Sequence, residues 1–137
     1  MSRSAATSEP MSPMDLLLFR GEHDARRRAT ACAILVLDGR PEWDDVCLVF
    51  ERASREFLRL RQHVVEPSGG LGPARWVTDP DFDLHYHLRR VRLPARATLR
   101  TLLDALPPLL MAPLDTARPL WRSEEHTSEL QSLRTIS

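Results

Sequence analysis

The sequence contains no lysine. All 19 basic residues are arginine, balanced by 19 acidic ones, so the formal net charge is zero and the pI is about 7.0. So uniform a choice of arginine reads as codon bias in a GC-rich gene. Zero net charge removes any electrostatic drive toward nucleic acid or an anionic membrane. Cysteine is scarce. Cys32 and Cys47 sit in apolar sequence, which predicts two buried free thiols and neither a disulfide nor a metal pair.

Long hydrophobic runs are missing too. The longest, Ala29 to Leu37, is strand-length and far short of the roughly 18 residues a membrane-spanning helix needs. No apolar stretch precedes Met11, so no signal peptide is read there. The expectation is a cytoplasmic protein, at most peripheral to membrane or lipid inclusions. At 137 residues the chain is one domain's worth or less, and its 42% hydrophobic content suffices for a core.

What is present is organised around Phe82–Leu93, which reads as a strand. Leu84, Tyr86 and Leu88 alternate with His85, His87 and Arg89, but Val91 and Leu93 then share parity with the histidines. One regular strand cannot bury both sets, which predicts a bulge near Arg89–Arg90.

Upstream, Met1–Pro10 is Ser/Ala/Thr-rich and expected to be disordered. Asp15 is a candidate cap for a short helix with Leu16–Phe19 inward. Arg26–Arg28 reads as a solvated charge run. Ala29–Leu37 is predicted to be a central strand, because it is apolar on both faces. Pro41 opens a helix running to about Leu58, whose stripe is Trp43, Val46, Cys47, Phe50, Ala53 and Phe57. Leu58–Val65 and Arg75–Val77 are predicted strands joined as a hairpin. The glycines of Ser68–Pro73 are not followed by a helix N-terminus, as a phosphate loop would require. Thr98 caps a further helix carrying Leu99, Leu102, Leu103 and Leu106, kinked or broken at Pro107–Pro108. Pro113–Asp115 and Arg118–Trp121 are expected to run extended.

Composition shifts at Arg122, where Ser, Thr and Glu begin to dominate. Arg122–Ser132 resembles one translated frame of a common short-read sequencing adapter. The predicted organisation is therefore residues 1–10 disordered, residues 11–121 one partial domain, and residues 122–137 a non-native polar tail. A natural polar tail is the competing reading.

His85 and His87 on one strand face could hold a metal by geometry, but no third ligand is apparent and Arg89 shares that face. Hydrogen-bonded structural histidines are the better expectation, with no metal site. Arg89, Arg90 and Arg92 could meet coenzyme A phosphates, although a charge-protected strand edge is the simpler account.

From Met11 to Trp121 the chain resembles the N-terminal part of the bacterial wax ester synthase/diacylglycerol acyltransferase family. The matching stretches are Met14–Asp15, Phe19–Glu22, Leu35–Asp38, Arg59–Arg61, Val64–Pro67, Gly70–Gly72, Arg75–Val77, Asp81–Asp83 with Tyr86–His87, Pro113–Asp115 and Arg118–Trp121. The resemblance implies a mixed α/β fold, the partial N-terminal lobe of a coenzyme A-dependent acyltransferase of the chloramphenicol acetyltransferase type. It implies transfer of a fatty acyl group from acyl-CoA, a substrate and not a cofactor, to diacylglycerol or a long-chain alcohol. No other cofactor and no nucleic acid is implied. In the family a histidine of a His-His-x-x-x-Asp-Gly signature acts as general base.

That signature is absent here. Tyr86 separates His85 from His87, Val91 stands four residues past His87, and Asp24 follows His23 directly. No catalytic residue is assigned, substrate-binding residues are unknown, and Pro119, Leu120 and Trp121 are a family motif expected to serve packing. The expected protein is an acyltransferase fragment, severed ahead of its general base and inactive alone. The alternative is a non-catalytic lipid or acyl-CoA binding module.

Overall fold

The computed structural model describes residues 7–70, 72–94 and 96–127. Two small sheets and three main helices make up these residues. β1 (Ser8–Pro10), β2 (Gln62–Val65) and β3 (Arg75–Thr78) form an antiparallel sheet in the order β1-β3-β2. The hairpin expected between the second and third of these is present, with Val64 opposite Trp76. Gly69 and Gly72, at φ of 80° and 111°, turn the chain between them. Ser8–Pro10, inside the segment expected to be disordered, pairs with β3; residues 1–6 lie outside the described residues.

α1 (Pro13–Gly21) is capped by Ser12, whose hydroxyl accepts from the Asp15 amide at 3.1 Å. Asp15 therefore sits in the first turn and is not the cap. Only Leu16 and Phe19, three apart, face inward; Leu17 and Leu18 are exposed. Together with Met11, Val64, Ala74, Trp76 and Leu120 they form the core.

α2 (Trp43–Glu56) follows the expected stripe, with Asp44 and Asp45 at its positive end. It stops two residues early. Phe57 and Leu58 leave the helix and are exposed, and Leu58–Arg61 is a 3-10 turn where a strand was expected. α4 (Leu99–Met111) is capped by Thr98 in a reciprocal capping box with Thr101. It continues through Pro107 and Pro108, and the Ala112 amide still bonds to the Pro108 carbonyl at 3.1 Å.

Two expectations fail instructively. Ala29–Leu37 is not a strand. It has no strand partner among the described residues, and its side chains stand in the open, with Leu35 85% exposed. An apolar pattern marks a segment for burial, but a strand forms only where a neighbour offers backbone hydrogen bonds. Cys32, on this segment, is consequently an exposed free thiol, while Cys47 is half-buried.

The stretch Phe82–Leu93 contains no bulge. Its change of face is absorbed by one helical turn, α3 (Leu84–His87), which runs directly into β4 (Leu88–Arg92). Asp83 caps the turn by accepting from the His85 amide at 2.9 Å. Rotation through that turn buries His87 and Leu88 together. β4 pairs in parallel with β5 (Ser123–Thr127), Leu88 lying opposite Ser123. Between α4 and β5 the chain is not simply extended: Asp115 accepts from the Ala117 and Arg118 amides and turns it.

Candidate functional site

The residues the sequence singled out converge on one column of rings. Trp121 stacks on the His87 ring at 4.5 Å between centroids, and Phe82 stacks on His87 at 5.4 Å. Phe50, from α2, stacks on Trp121 at 5.9 Å. The Arg61 guanidinium covers Phe82 at 4.7 Å. Four separate stretches of chain thus meet at a motif read from sequence as packing. Pro119 is buried and Leu120 packs on the core.

Hydrogen bonds fix the column. The Trp121 indole N–H donates to the Leu60 carbonyl at 2.8 Å. His87 Nδ1 lies 2.8 Å from the Trp121 carbonyl oxygen. A carbonyl can only accept, so Nδ1 carries a proton and donates it. His87 is 1% exposed, and Nε2 has no hydrogen-bond partner among the described residues.

Arg61 is itself held. It donates to Glu51 at 2.9 Å and to the fully buried Ser54 hydroxyl at 3.1 Å. The Glu51 carboxyl is lowered below its usual range, chiefly by its hydrogen bond from Arg55; burial opposes this, and the Arg61 charge and hydrogen bond add to the lowering.

A second polar cluster was missed by sequence reasoning. Arg28, expected on a solvated face, has a buried side chain paired with buried Glu22 at 3.2 Å. It also donates to the Glu22 carbonyl and reaches the Met111 carbonyl, while Glu22 accepts from the Leu114 amide at 3.2 Å. The pair ties the end of α1 to the end of α4. Gly21 lets the loop fold back this closely: a Cβ there would stand 3.0 Å from the Arg27 carbonyl oxygen. The Gly-Glu step inside Phe19–Glu22 was the available signal.

His85 and His87 do not share a face once they lie in a helical turn; His85 is exposed and His87 buried. Arg89 and Arg92 are exposed, and Arg90 lies 3.1 Å from Glu125 and over the Trp43 ring. Beside the column runs an open apolar groove of about 770 Å³. Ala29–Leu37 forms one wall, Trp43, Val46 and Phe50 another, and Leu102 and Leu106 of α4 a third. Among the described residues no helix is long and apolar enough to cross a membrane.

Comparison with known proteins gives this geometry a context. The wax ester synthase/diacylglycerol acyltransferase catalytic domain family matches residues 11–124. A Mycobacterium tuberculosis protein provisionally named diacylglycerol O-acyltransferase is 48% identical over 118 residues, which is 86% of this chain and 24% of that one. The probable diacylglycerol O-acyltransferase tgs3 of the same organism is 43% identical over 71 residues, 52% of this chain and 26% of its own. The chain therefore spans about a quarter of the length of these curated relatives. The solved wax ester synthase/diacylglycerol acyltransferase of Marinobacter aquaeolei VT8 superposes with a TM-score of 0.55 at 20% identity, over 87% of this chain and 30% of that one. At that identity the likeness shows a shared fold, that of the coenzyme A-dependent acyltransferases.

Proposed function

The chain belongs to the wax ester synthase/diacylglycerol acyltransferase family, and from that premise we propose that it is the N-terminal portion of an O-acyltransferase making triacylglycerol or wax ester. The complete enzyme takes a fatty acyl group from acyl-CoA and passes it to diacylglycerol or a long-chain alcohol. Acyl-CoA enters as substrate, and no separate cofactor is needed. The observation that carries this reading is the family match across residues 11–124. The complete enzyme works in the cytoplasm, at the surface of membrane or lipid inclusions where its acceptors reside.

The 137 residues alone are proposed to be inactive. They contain no His-His-x-x-x-Asp-Gly stretch, and loss of a general base costs about 10²–10⁴ in rate. The residues arranged around Pro119–Trp121 are proposed to build the lobe, not to perform chemistry. Residues from Arg122 onward are proposed to be non-native, although the family match runs on to residue 124. The support lies in the adapter-like string that begins at Arg122.

Two experiments test the proposal. A thiol-release assay on the purified chain with long-chain acyl-CoA and alcohol should show no turnover; sustained turnover defeats the inactivity. Residues 11–121 should also replace the matching portion of the 48%-identical relative and leave acyl-CoA:diacylglycerol transfer intact. A folded but inactive chimera defeats the acyltransferase reading. Resequencing across the Trp121 codon decides the tail.

The groove favours one competing reading, a non-catalytic lipid or acyl-CoA binding module. Saturable displacement of a fluorescent fatty acid from the 137-residue chain would support it.

A further inference from the structure

β5 reads Ser-Glu-Glu-His-Thr, with no alternation of apolar and polar residues. A strand without such a pattern does not specify its own register. The pair it forms with β4 is parallel, only five residues long and has no third strand among the described residues, which is the least self-sufficient arrangement of strands. Nevertheless the two strands are in full register from Leu88↔Ser123 to Arg92↔Thr127. The cross-strand ion pair between Arg90 and Glu125, at 3.1 Å with the Arg90 side chain 37% exposed, contributes little to this.

The pin lies just before the ladder. His87 directly precedes Leu88, and Trp121 stands two residues before Ser123. The Nδ1–H bond from His87 to the Trp121 carbonyl joins the two strands at their common entrance. Trp121 cannot slide, because its indole is held by the Leu60 carbonyl and stacked between His87 and Phe50. His87 cannot turn, because it is stacked between Phe82 and Trp121 and is 1% exposed.

We propose that His87 is a positioning residue, a register clamp whose Nδ1–H bond to the Trp121 carbonyl decides where the strand leaving Trp121 enters the sheet. A slip of one residue there would turn every following side chain to the opposite face. The clamp acts on backbone, so it works whatever side chains follow, including the polar ones present here. The clamp itself is made by His87 and Trp121, both ahead of the residues proposed to be non-native, and does not depend on the acyltransferase reading.

The test uses the 137-residue chain. Nitrogen-15 spectra of the His87 ring should show a proton on Nδ1; a ring protonated only at Nε2 overturns the proposal. Amide hydrogen exchange then separates bond from stack. In H87F, which keeps a ring but loses the donor, protection of β4 and β5 amides should fall about tenfold while β2 and β3 are unchanged. In H87N, which places an amide donor at the Nδ1 position but loses the stack, β4–β5 protection should stay within about twofold of wild type. Unchanged protection in H87F, or equal loss in both variants, overturns the clamp. If H87F loses protection in both sheets it has unfolded, and the tautomer together with the H87N result then decides.

Discussion

Arg28 and Glu22 form an ion pair at 3.2 Å with both side chains almost removed from water, 8% and 11% exposed. Burying two charges is costly, and the cost is recovered only when their remaining hydrogen-bonding groups are also satisfied. Here the Glu22 and Met111 carbonyls and the Leu114 amide do this. E22A should destabilise the chain by about 3 kcal/mol, because it strands the Arg28 charge. The double variant E22L/R28M should cost less than E22A alone. Denaturant unfolding of both variants checks this, and a double variant worse than the single would show the pair to be stabilising in its own right.

Glu51 gives a pH dependence. Its carboxyl titrates below its ordinary 4.5 in the folded chain, through the hydrogen bond from Arg55 first and Arg61 second. A depressed acid contributes stability that is fully present above the unfolded-state value and lost as pH falls through the folded value. Wild type should therefore be more stable than E51Q at pH 7, and the gap should narrow below about pH 4.5. Denaturation midpoints at pH 7 and pH 3 would show it; a gap independent of pH would contradict it.

Trp121 anchors the aromatic column through one indole hydrogen bond to Leu60. W121F keeps a stacking ring but leaves that partly buried carbonyl unpaired, and should cost about 1–3 kcal/mol. W121A should cost more, about 3–5 kcal/mol, through the cavity it leaves. Thermal unfolding of the two variants against wild type gives the order.

The apolar segment Ala29–Leu37 should limit solubility. Leu35 and Val36 are 85% and 74% exposed, beside helix faces that are themselves open. Such a surface associates, so wild type should run as oligomers or aggregates with a broad thermal transition. L35E/V36E should raise the monomeric fraction while changing stability by less than about 0.5 kcal/mol. Light scattering on a sizing column measures the first and denaturant unfolding the second. A sharp cooperative melt of monomeric wild type would defeat the prediction.

Local chemistry was readable from the chain alone. α2 was legible because its stripe recurs at three and four. The Thr98 cap and the hairpin between β2 and β3 were legible because each rests on neighbouring residues. Asp83 as the cap of a helical turn was also there to be read, but the alternation of Leu84, Tyr86 and Leu88 masked it. The inward turn of Arg28 was not legible, since its partners Glu22, Met111 and Leu114 come from three separate stretches.

The order of apolar and polar residues, with the spacing of short stretches from Met14 to Trp121, was enough to establish the family, the mixed α/β character, the apolar stripe of α2 and the start of α4 at Thr98. These depend on interactions between residues a few positions apart. Tertiary structure alone decided that Ala29–Leu37 finds no strand partner among the described residues, that His87 is sealed against Trp121, and that Arg28 is buried. Those outcomes depend on what a distant part of the chain places alongside, and a strand, a buried imidazole or a buried charge is stable only when that partner is there.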